Sequence, residues 1–356
     1  MEAKHRLQLF VPFEVILQPS GNRFTVPEGK TILKAGHDAD ISLPYSCRAG
    51  ACRTCRGRIL EGEVDFGHVH ENYLPLEERE EGYALLCQAH PLSDVVIEVQ
   101  ELDIMDNIHT RICPGRVKEM RRVAPDVMVI RILLPMFENV QFLAGQFVEF
   151  VLANGERRAY SIASAPSISG VTSIELHVRH TPGGLFTDYV FDGMQVHDLV
   201  RMELPLGTFF LRENSDKPIV MLASGTGFAP MKSILEYAKQ KQFKRPMTLY
   251  WGGRTRADLY EMDWVERYAA ENEGFQFIPV VSDATPACDW NGRTGFVHRA
   301  VMEDFPDLSE HQVYACGAPI VVESAKHDFA EQCGLPLHEF FADSFLDAGD
   351  RARART

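Results

Sequence analysis

Four cysteines have a spacing that suits the binding of a metal centre. Residues 47–55 read CRAGACRTC and contain Cys47, Cys52 and Cys55, and the next cysteine along the chain is Cys87. The pattern is therefore C-x4-C-x2-C-x31-C. Thiolates hold either a tetrahedral zinc ion or an iron–sulfur cluster. Zinc ribbons usually combine two short C-x2-C-type pairs, whereas Cys87 stands alone, so the spacing favours iron and sulfide.

The same spacing resembles that of plant-type ferredoxins, in which four thiolates hold a [2Fe–2S] cluster. The resemblance implies that the four cysteines are the cluster ligands. Gly50 and its small neighbours would let backbone N–H groups turn toward the sulfides and tune the potential. The flanking residues agree, because FEVILQPSGNRFTVPEG predicts two strands around a turn, KTILKAGHDADI a helix and SDVVIEVQ a closing strand. Over residues 13–102 this order resembles the β-grasp fold of ferredoxins.

A second group of candidate residues lies among short alternating strands that predict a small antiparallel barrel. One strand contains Arg158, Tyr160 and Ser161. Arginine offers a two-pronged donor for phosphate, and tyrosine offers a flat ring with a polar end. The sequence TPGGLFTDYV predicts a helix start, where free N–H groups attract anions. Its residues of interest are Gly183, Gly184 and Thr187. Taken alone, each pattern is equally consistent with an ordinary strand or a capped turn.

A third group lies where a buried strand meets a helix. KPIVMLASGTGFAPMKSILEYAKQ predicts a strand, a glycine-rich turn and an amphipathic helix, and more strands alternate with helices after it. The alternation predicts a parallel, doubly wound α/β sheet. Gly225, Thr226 and Gly227 form the turn, where a dinucleotide pyrophosphate would lie at the helix start. The turn reads G-T-G-x-x-P instead of G-x-G-x-x-G, with Pro230 in the first helical turn, where proline is tolerated.

Together, these patterns resemble the ferredoxin–NADP reductase family over residues 13–347. Residues 316–319 read CGAP and match that family's second signature, C-G-x-P. The resemblance implies that Arg158 binds the FAD pyrophosphate, Tyr160 stacks on the isoalloxazine and Ser161 hydrogen-bonds the reactive flavin nitrogen. It also implies a pyrophosphate site made of Gly183, Gly184 and Thr187.

The resemblance assigns two residues on the strand between these motifs. His177 and Val178 match a strand that family members use near the ribityl and adenosine groups of FAD. A histidine here is also consistent with a satisfied barrel residue.

Further residues are assigned beside the nicotinamide. Cys316 and Gly317 would lie next to it, with Cys316 as part of a positioned site and not a nucleophile. A buried strand-end thiol is the alternative for Cys316. Phe345 would cover the second face of the flavin, with Phe341 as a rival, and Asp343 matches the acidic position of plant reductases.

The length and composition of the chain indicate how many domains it contains and which classes of function are excluded. The chain has 356 residues, of which 45% are hydrophobic, so several domains are expected. We predict a ferredoxin domain at 1–102, an FAD-binding barrel at 103–213, an NAD(P)H-binding α/β domain at 214–347 and a flexible tail at 348–356. The net charge of −14 argues against nucleic-acid binding, and we find no run of about 18 apolar residues to span a membrane. Eight cysteines without a signal segment predict a reducing cytosol. We also expect a monomer.

The three domains in this order imply an electron path. A hydride from NAD(P)H would supply two electrons to FAD, which would release them one at a time through the cluster to an acceptor protein. RAYSIASAPS, YWGG, TGFVHRAVMEDFPDLSEHQVYACGAP and FFADSF resemble the CDP-6-deoxy-glucoseen reductase group, which donates electrons to a deoxysugar dehydrase. The alternative acceptor is a component of a multicomponent oxygenase. A redox sensor without turnover is a different class of function, which the complete motifs disfavour.

Two hypotheses concern charge. Asp283 would repel a 2′-phosphate and favour NADH over NADPH, although Arg254 and Arg256 leave NADPH possible. Arginines crowd the cluster loop of this acidic chain and would attract an acidic patch on the acceptor. These arginines are Arg48, Arg53, Arg56 and Arg58. The alternative is that they pair with nearby carboxylates such as Glu61 and Glu63.

Overall fold

A computed structural model of the chain describes residues 12–102, 108–285 and 289–346. Contacts between residues divide these into two compact units, one up to residue 102 and one from residue 108 to Phe345. The predicted tail at 348–356 and Cys288 lie outside the described residues. No helix among the described residues is long and apolar enough to cross a membrane.

The first unit is a five-stranded mixed sheet in the order β2-β1-β7-β3-β5, with a separate two-stranded β4-β6 pair. Its elements are β1 (Phe13–Gln18), β2 (Arg23–Val26), α1 (Ile32–Asp38), β3 (Arg56–Glu61), β4 (Val64–Asp65), α2 (Leu76–Glu80), β5 (Tyr83–Leu85), β6 (His90–Pro91) and β7 (Val95–Glu98). The predicted hairpin, helix and closing strand are all present, because β1 pairs antiparallel with β2 and parallel with β7. Thr31 caps α1 by accepting a hydrogen bond from the Lys34 N–H at 3.3 Å. This arrangement confirms the β-grasp prediction.

The second unit begins with six antiparallel strands in the order β11-β10-β13-β8-β9-β12. They are β8 (Arg111–Ala124), β9 (Val127–Leu133), β10 (Phe147–Val151), β11 (Arg157–Ser161), β12 (Ser173–Arg179) and β13 (Leu199–Leu206). A β-bridge between Ile162 and Leu176 joins the two end strands, so the sheet closes into the predicted barrel. A short helix α3 (Leu185–Asp188) continues as a π-helical turn over Tyr189–Gly193.

The unit continues as a six-stranded parallel sheet in the order β17-β16-β15-β14-β18-β19. Its strands are β14 (Ile219–Ser224), β15 (Met247–Gly253), β16 (Phe275–Val281), β17 (Arg293–Thr294), β18 (Gln312–Gly317) and β19 (Phe340–Ser344). Its helices are α4 (Phe228–Gln240), α5 (Met262–Glu271), α6 (Val297–Asp304) and α7 (Pro319–Cys333). The chain order reverses at β14, which pairs with β15 on one side and β18 on the other. In such sheets ligands bind at the carboxyl ends of the strands beside the reversal.

The strands fall inside the three domains that the sequence predicts. The antiparallel and parallel sheets confirm the fold class of each domain. The domain boundaries themselves stay predictions.

Candidate functional site

The four candidate cluster ligands lie close together as two pairs. The thiol of Cys47 is within hydrogen-bond distance of Cys52, and that of Cys55 is within hydrogen-bond distance of Cys87. No three metal-binding side chains in the described part of the chain converge on one ion. Two pairs of thiols suit two irons better than a single zinc ion, so the residues present fit a [2Fe–2S] cluster.

The cluster loop also supplies backbone donors. The N–H groups of Ala49 and Cys52 lie 3.3 and 3.4 Å from Cys47 Sγ. Arg48 and Arg53 adopt left-handed backbone conformations, with φ of 53° and 59°, which let the loop turn tightly around its thiols. Backbone N–H groups of the loop therefore face a ligand sulfur, and their contact with the sulfides stays a prediction.

The four loop arginines differ in their contacts. Arg53 and Arg56 both form ion pairs with Glu78 of α2, and not with the predicted Glu61 or Glu63. Arg48 donates to the hydroxyl of Tyr45 at 3.1 Å, and Arg58 donates to the Glu81 carbonyl at 3.1 Å. Arg48 and Arg58 are exposed, whereas Arg53 and Arg56 are half-buried. Arg53 and Arg56 therefore share one carboxylate, which offsets one of their two positive charges at short range.

The strand β11 brings together the three residues of the R-x-Y-S motif. Ser161 is buried, and its hydroxyl has no hydrogen-bond partner in the structure. The Tyr160 ring packs against Phe150 and Phe186, and burial raises the pKa of Tyr160. Arg158 is paired with Glu156. A buried hydroxyl without a partner is costly, so the orphaned Ser161 fits a missing polar ligand such as the flavin.

The loop before α3 is held by Thr187. Its hydroxyl lies 2.9 Å from the Thr181 carbonyl and 3.2 Å from the Gly184 carbonyl. A Cβ on Gly184 would lie 2.6 Å from Thr187 Oγ1, so only glycine fits there. Thr187 therefore shapes the glycine loop through its own hydrogen bonds. A Cβ on Gly183 would meet no atom within 4 Å, so the loop has an open side for a ligand.

The side chains of His177 and Val178 are both buried inside the protein. Val178 is fully buried in the barrel core. His177 has both ring nitrogens engaged, with Nδ1 2.8 Å from the Tyr260 hydroxyl and Nε2 3.3 Å from Glu175 Oε1. Contact of either residue with FAD stays a prediction, and the backbone is the part of each residue that remains for it.

The two nicotinamide signatures touch each other. A Cβ on Gly227 would overlap the carbonyl of Cys316, so the G-T-G turn and the C-G-A-P segment are in direct backbone contact. Gly225 has a left-handed φ of 55°, and its carbonyl accepts a hydrogen bond from the Trp251 ring at 2.9 Å. Thr226 lies between these glycines, and Pro230 is buried in the first turn of α4. The G-T-G turn and the C-G-A-P segment, which are predicted to bind the dinucleotide, therefore lie together at the carboxyl ends of β14 and β18.

Arg179 brings cationic hydrogen-bond donors beside the G-T-G turn. It forms ion pairs with Asp126 at 2.9 Å and Asp258 at 2.7 Å, while its Nε and Nη2 are buried without partners. A Cβ on Gly225 would lie 3.5 Å from Nη2. Unpartnered cationic donors beside the turn fit the anionic pyrophosphate of a dinucleotide.

The remaining predicted residues surround Cys316. Its pairing register places it opposite Asp343 of β19, and burial raises the pKa of the Cys316 thiol. The Phe345 N–H donates to the Gly317 carbonyl at 2.8 Å. Phe341 instead packs on Tyr314, at a ring distance of 4.9 Å, and Arg212 lies 4.7 Å from its ring centroid. The backbone of Phe345 therefore bonds directly to the C-G-A-P segment, whereas Phe341 pairs with Tyr314, which lies before that segment.

Four functional candidates were not predicted from the sequence, and Arg179 is one of them. Lys232 and Glu175 form a buried ion pair at 2.7 Å, and Glu78 holds two arginines of the cluster loop. One signal was available for Lys232. It interrupts the apolar stripe that Phe228, Ile234 and their neighbours form on α4, and a charge inside such a stripe needs a buried partner.

Three family models match the chain in the order of its domains. Residues 15–92 match a 2Fe-2S iron-sulfur cluster binding domain, residues 114–211 an oxidoreductase FAD-binding domain and residues 221–327 an oxidoreductase NAD-binding domain. The chain belongs to the iron–sulfur flavoprotein reductases. The three matches confirm the predicted cofactors, namely a [2Fe–2S] cluster, FAD and a nicotinamide dinucleotide.

Curated relatives of this reductase include electron donors to different partners. It is 39% identical, over 93% of its length and 98% of the relative, to CDP-6-deoxy-L-threo-D-glycero-4-hexulose-3-dehydrase reductase of Yersinia pseudotuberculosis. It is 38% identical, over 87% of its length and 92% of the relative, to the aromatic O-demethylase reductase subunit of an Amycolatopsis strain. The crystal structure of an Amycolatopsis cytochrome P450 reductase matches with a TM-score of 0.76 at 35% identity, covering 94% of this chain and 99% of that one.

Proposed function

We propose that this reductase takes electrons from NADH and delivers them, by way of FAD and then its [2Fe–2S] cluster, to a separate acceptor protein. The observation that carries the proposal is the arrangement of four thiols as two pairs, in one chain with a flavin barrel and a nicotinamide domain. When bound, the cofactors supply hydride acceptance and one-electron transfer. The acceptor is a deoxysugar dehydrase or an oxygenase component, since the relatives include the reductase of a hexulose-3-dehydrase and the reductase component of a terephthalate 1,2-dioxygenase.

The residues of this chain would hold and orient the flavin. The unpartnered hydroxyl of Ser161 would donate to the flavin, and Arg158 would bind its pyrophosphate after exchanging Glu156 for phosphate. The Tyr160 ring, already packed on two phenylalanines, would supply a rigid stacking surface. The loop of Gly183 and Gly184 would face the pyrophosphate on its open side.

A second set of residues would hold the nicotinamide nucleotide. The turn of Gly225–Gly227 and the side chain of Arg179 would bind its pyrophosphate. Cys316 and Asp343 would lie beside the nicotinamide, with the thiol neutral because burial raises its pKa. Phe345 would cover the flavin until the nicotinamide displaces it. These roles exclude water from the hydride path and fix the two rings.

We also infer where the acceptor docks and where the reaction takes place. Arg48 of the cluster loop and Arg58 of β3, the strand that follows it, are exposed and would meet an acidic patch on the acceptor. Arg53 and Arg56 would mainly support the loop, because Glu78 holds both. The seven described cysteines form no disulfide and four of them would be cluster ligands, which supports a reducing cytosol as the site of action.

The proposal is tested with Cys52→Ser. The wild-type protein is expected to contain FAD, iron and acid-labile sulfide, and NADH should drive reduction of both ferricyanide and cytochrome c. Cys52→Ser should lose the cluster and cytochrome c reduction but keep ferricyanide reduction, because ferricyanide can take electrons at the flavin. Zinc in place of iron, or equal loss of both activities in a flavin-loaded variant, would refute the proposed path.

A further inference from the structure

A buried ion pair joins the flavin barrel to the nicotinamide domain. Lys232 Nζ lies 2.7 Å from Glu175 Oε1, and both side chains are only 8% exposed. Glu175 belongs to β12 of the barrel, whereas Lys232 belongs to α4, the helix that follows the G-T-G turn. A second carboxylate, Glu236 of the same helix, lies 2.9 Å from Lys232 Nζ. The pair therefore links the start of α4 to the strand that runs beside the flavin motif.

The polar groups around this pair are satisfied by further contacts. Glu175 Oε2 accepts from Arg131 at 3.0 Å, and Glu175 Oε1 also lies 3.3 Å from His177 Nε2. Burial lowers the pKa of His177, so the ring is neutral at pH 7. The partners then assign the proton to Nε2, which donates to Glu175, while the Tyr260 hydroxyl donates to Nδ1. Lys232 and Tyr260 of the nicotinamide domain are thus joined through two side chains of one barrel strand.

Neighbouring residues attach the same stretch of helix to the barrel. Ser233, which is fully buried, donates its hydroxyl hydrogen to the Ser164 carbonyl at 2.8 Å. The Ala165 N–H donates to Glu236 Oε2 at 3.1 Å. Lys232 lies one turn after Phe228, the first residue of α4. Three side chains of this helix are therefore bonded to the barrel immediately behind the G-T-G turn.

A buried ion pair is a poor way to gain stability, since apolar side chains of similar volume often stabilise a protein at least as well. Its advantage is geometric. An apolar contact tolerates sliding, whereas hydrogen bonds of fixed length and direction define the position of one element against another. Hydride transfer needs such definition, because the reacting atoms must approach within about 3–3.5 Å of each other.

We infer that Lys232 and Glu175 are positioning residues for hydride transfer: their ion pair holds the start of α4, and with it the nicotinamide nucleotide, in register with the flavin barrel. The inference rests on the proposed function, in which Gly225–Gly227 binds that nucleotide. In the step concerned, a hydride with its two electrons leaves the nicotinamide, which becomes NAD⁺, and the flavin is reduced. Neither side chain exchanges a proton or touches a reacting atom.

The test is Lys232→Met, which keeps the length of the side chain and removes its charge. Anaerobic stopped-flow mixing with NADH gives the limiting rate of flavin reduction and the Kd for NADH. We expect the limiting rate to fall about tenfold or more, because small misplacements of reacting groups are costly in rate. The Kd should change less than about threefold, since the turn and Arg179 that bind the nucleotide remain. Amide hydrogen exchange at residues 228–234 should become faster than in the wild-type protein.

The matched control is Lys239→Met. Lys239 lies on the same helix and pairs with Glu271 at 2.7 Å, but the two side chains are 48% and 60% exposed. The limiting rate of flavin reduction in Lys239→Met should stay within about twofold of the wild-type rate, because an exposed ion pair contributes little. Lys232→Arg, which keeps the charge, should recover most of the lost rate. Recovery of this kind distinguishes positioning by the ion pair from a general loss of packing.

Several results would overturn the inference. One is a wild-type limiting rate in a flavin-loaded Lys232→Met protein, and another is an equal loss in Lys239→Met. If Lys232→Met fails to retain FAD, the milder Glu236→Gln replaces it, because that side chain is 29% exposed. Glu236→Gln should slow flavin reduction about threefold, because Lys232 then keeps only one of its two charge-assisted bonds, the one to Glu175. An unchanged rate would refute the inference. Failure of the proposed function is separate, since NADH would then leave the flavin of the wild-type protein oxidised.

Discussion

Arg53 Nη2 lies 2.5 Å from Oε1 and 2.6 Å from Oε2 of Glu78, so one arginine between two cluster ligands is tied to helix α2. The side chains are 18% and 23% exposed. Glu78 also pairs with Arg56 at 3.1 Å. The loop that carries Cys52 and Cys55 is therefore fixed from outside by a single carboxylate.

Glu78→Gln should weaken this loop. The amide cannot serve two guanidinium groups as a carboxylate does, and Arg53 already has a buried Nε without a partner. We expect the free energy of unfolding of the cluster-loaded protein to fall by about 1–2 kcal/mol, in line with charge-assisted hydrogen bonds that are partly exposed. Chemical denaturation followed by cluster absorbance measures it. Glu80→Gln on the exposed side of α2 is the control, and an equal effect of both changes would contradict the role of Glu78.

Charge reversal at Arg48 and Arg58 should slow transfer to the acceptor. Both are exposed, one on the cluster loop and one on the strand that follows it, so Arg48→Glu with Arg58→Glu should raise the apparent KM for the acceptor protein about tenfold at low salt. The difference should shrink near 1 M salt, where the Debye length is about 3 Å. Reduction of ferricyanide by NADH should hardly change.

The control for this surface is Arg23→Glu. Arg23 is 60% exposed and lies on β2, at the opposite edge of the sheet from β5. It should leave the acceptor KM unchanged. If the rate of electron transfer to the acceptor protein depends neither on salt nor on the double charge reversal, the two arginines have no docking role.

Replacement of Asp283 should weaken the preference for NADH over NADPH. Its N–H donates to the Arg254 carbonyl at 2.8 Å, which places Asp283 at the exposed carboxyl end of β16, beside an arginine of the neighbouring loop. Asp283→Ser should raise kcat/KM for NADPH about fivefold, because two charges about 4 Å apart in water interact by about 1 kcal/mol. Steady-state ferricyanide assays with both nucleotides measure the change. Asp263→Ser on α5 serves as control, and a wild-type preference for NADPH would refute the hypothesis.

The ferredoxin unit should lose stability in mild acid because of His37. Burial lowers the pKa of His37 to about 4, while its Nε2 lies 3.2 Å from the Leu43 carbonyl. In the unfolded chain His37 has its ordinary pKa near 6.5. Between about pH 6.5 and pH 4 the unfolded chain therefore binds a proton at His37 that the folded unit does not bind. Stability is therefore complete above about pH 6.5 and falls below it, by about 1–2 kcal/mol at pH 5.

Thermal unfolding at pH 7.5 and pH 5 measures this effect. His37→Gln should show a smaller decrease in melting temperature between the two pH values than the wild-type protein. His68→Gln, which changes an exposed histidine of the same unit, should behave like the wild type. Parallel pH curves for the wild type and His37→Gln would show that His37 does not cause the acid sensitivity.

The elements that follow from local spacing were predictable. The cysteine spacing predicted the ferredoxin unit, and alternation of apolar residues predicted both the barrel and the parallel sheet. Partners brought together only by folding were not predictable. Glu78 lies on a separate helix, so the sequence pointed to Glu61 and Glu63, which are nearer to the four arginines in the chain. The engagement of His177 was hidden for the same reason, because Tyr260 reaches it from another domain.

The contact between Gly227 and the Cys316 carbonyl limits how this protein can change. A single methyl group at position 227 would overlap the Cys316 carbonyl and push the G-T-G turn away from the end of β18, so a larger residue here requires the backbone of the C-G-A-P segment to shift. Changes of nucleotide preference are therefore easier to design elsewhere, at the exposed Asp283 and Ala284 after β16, where larger side chains meet solvent instead of backbone.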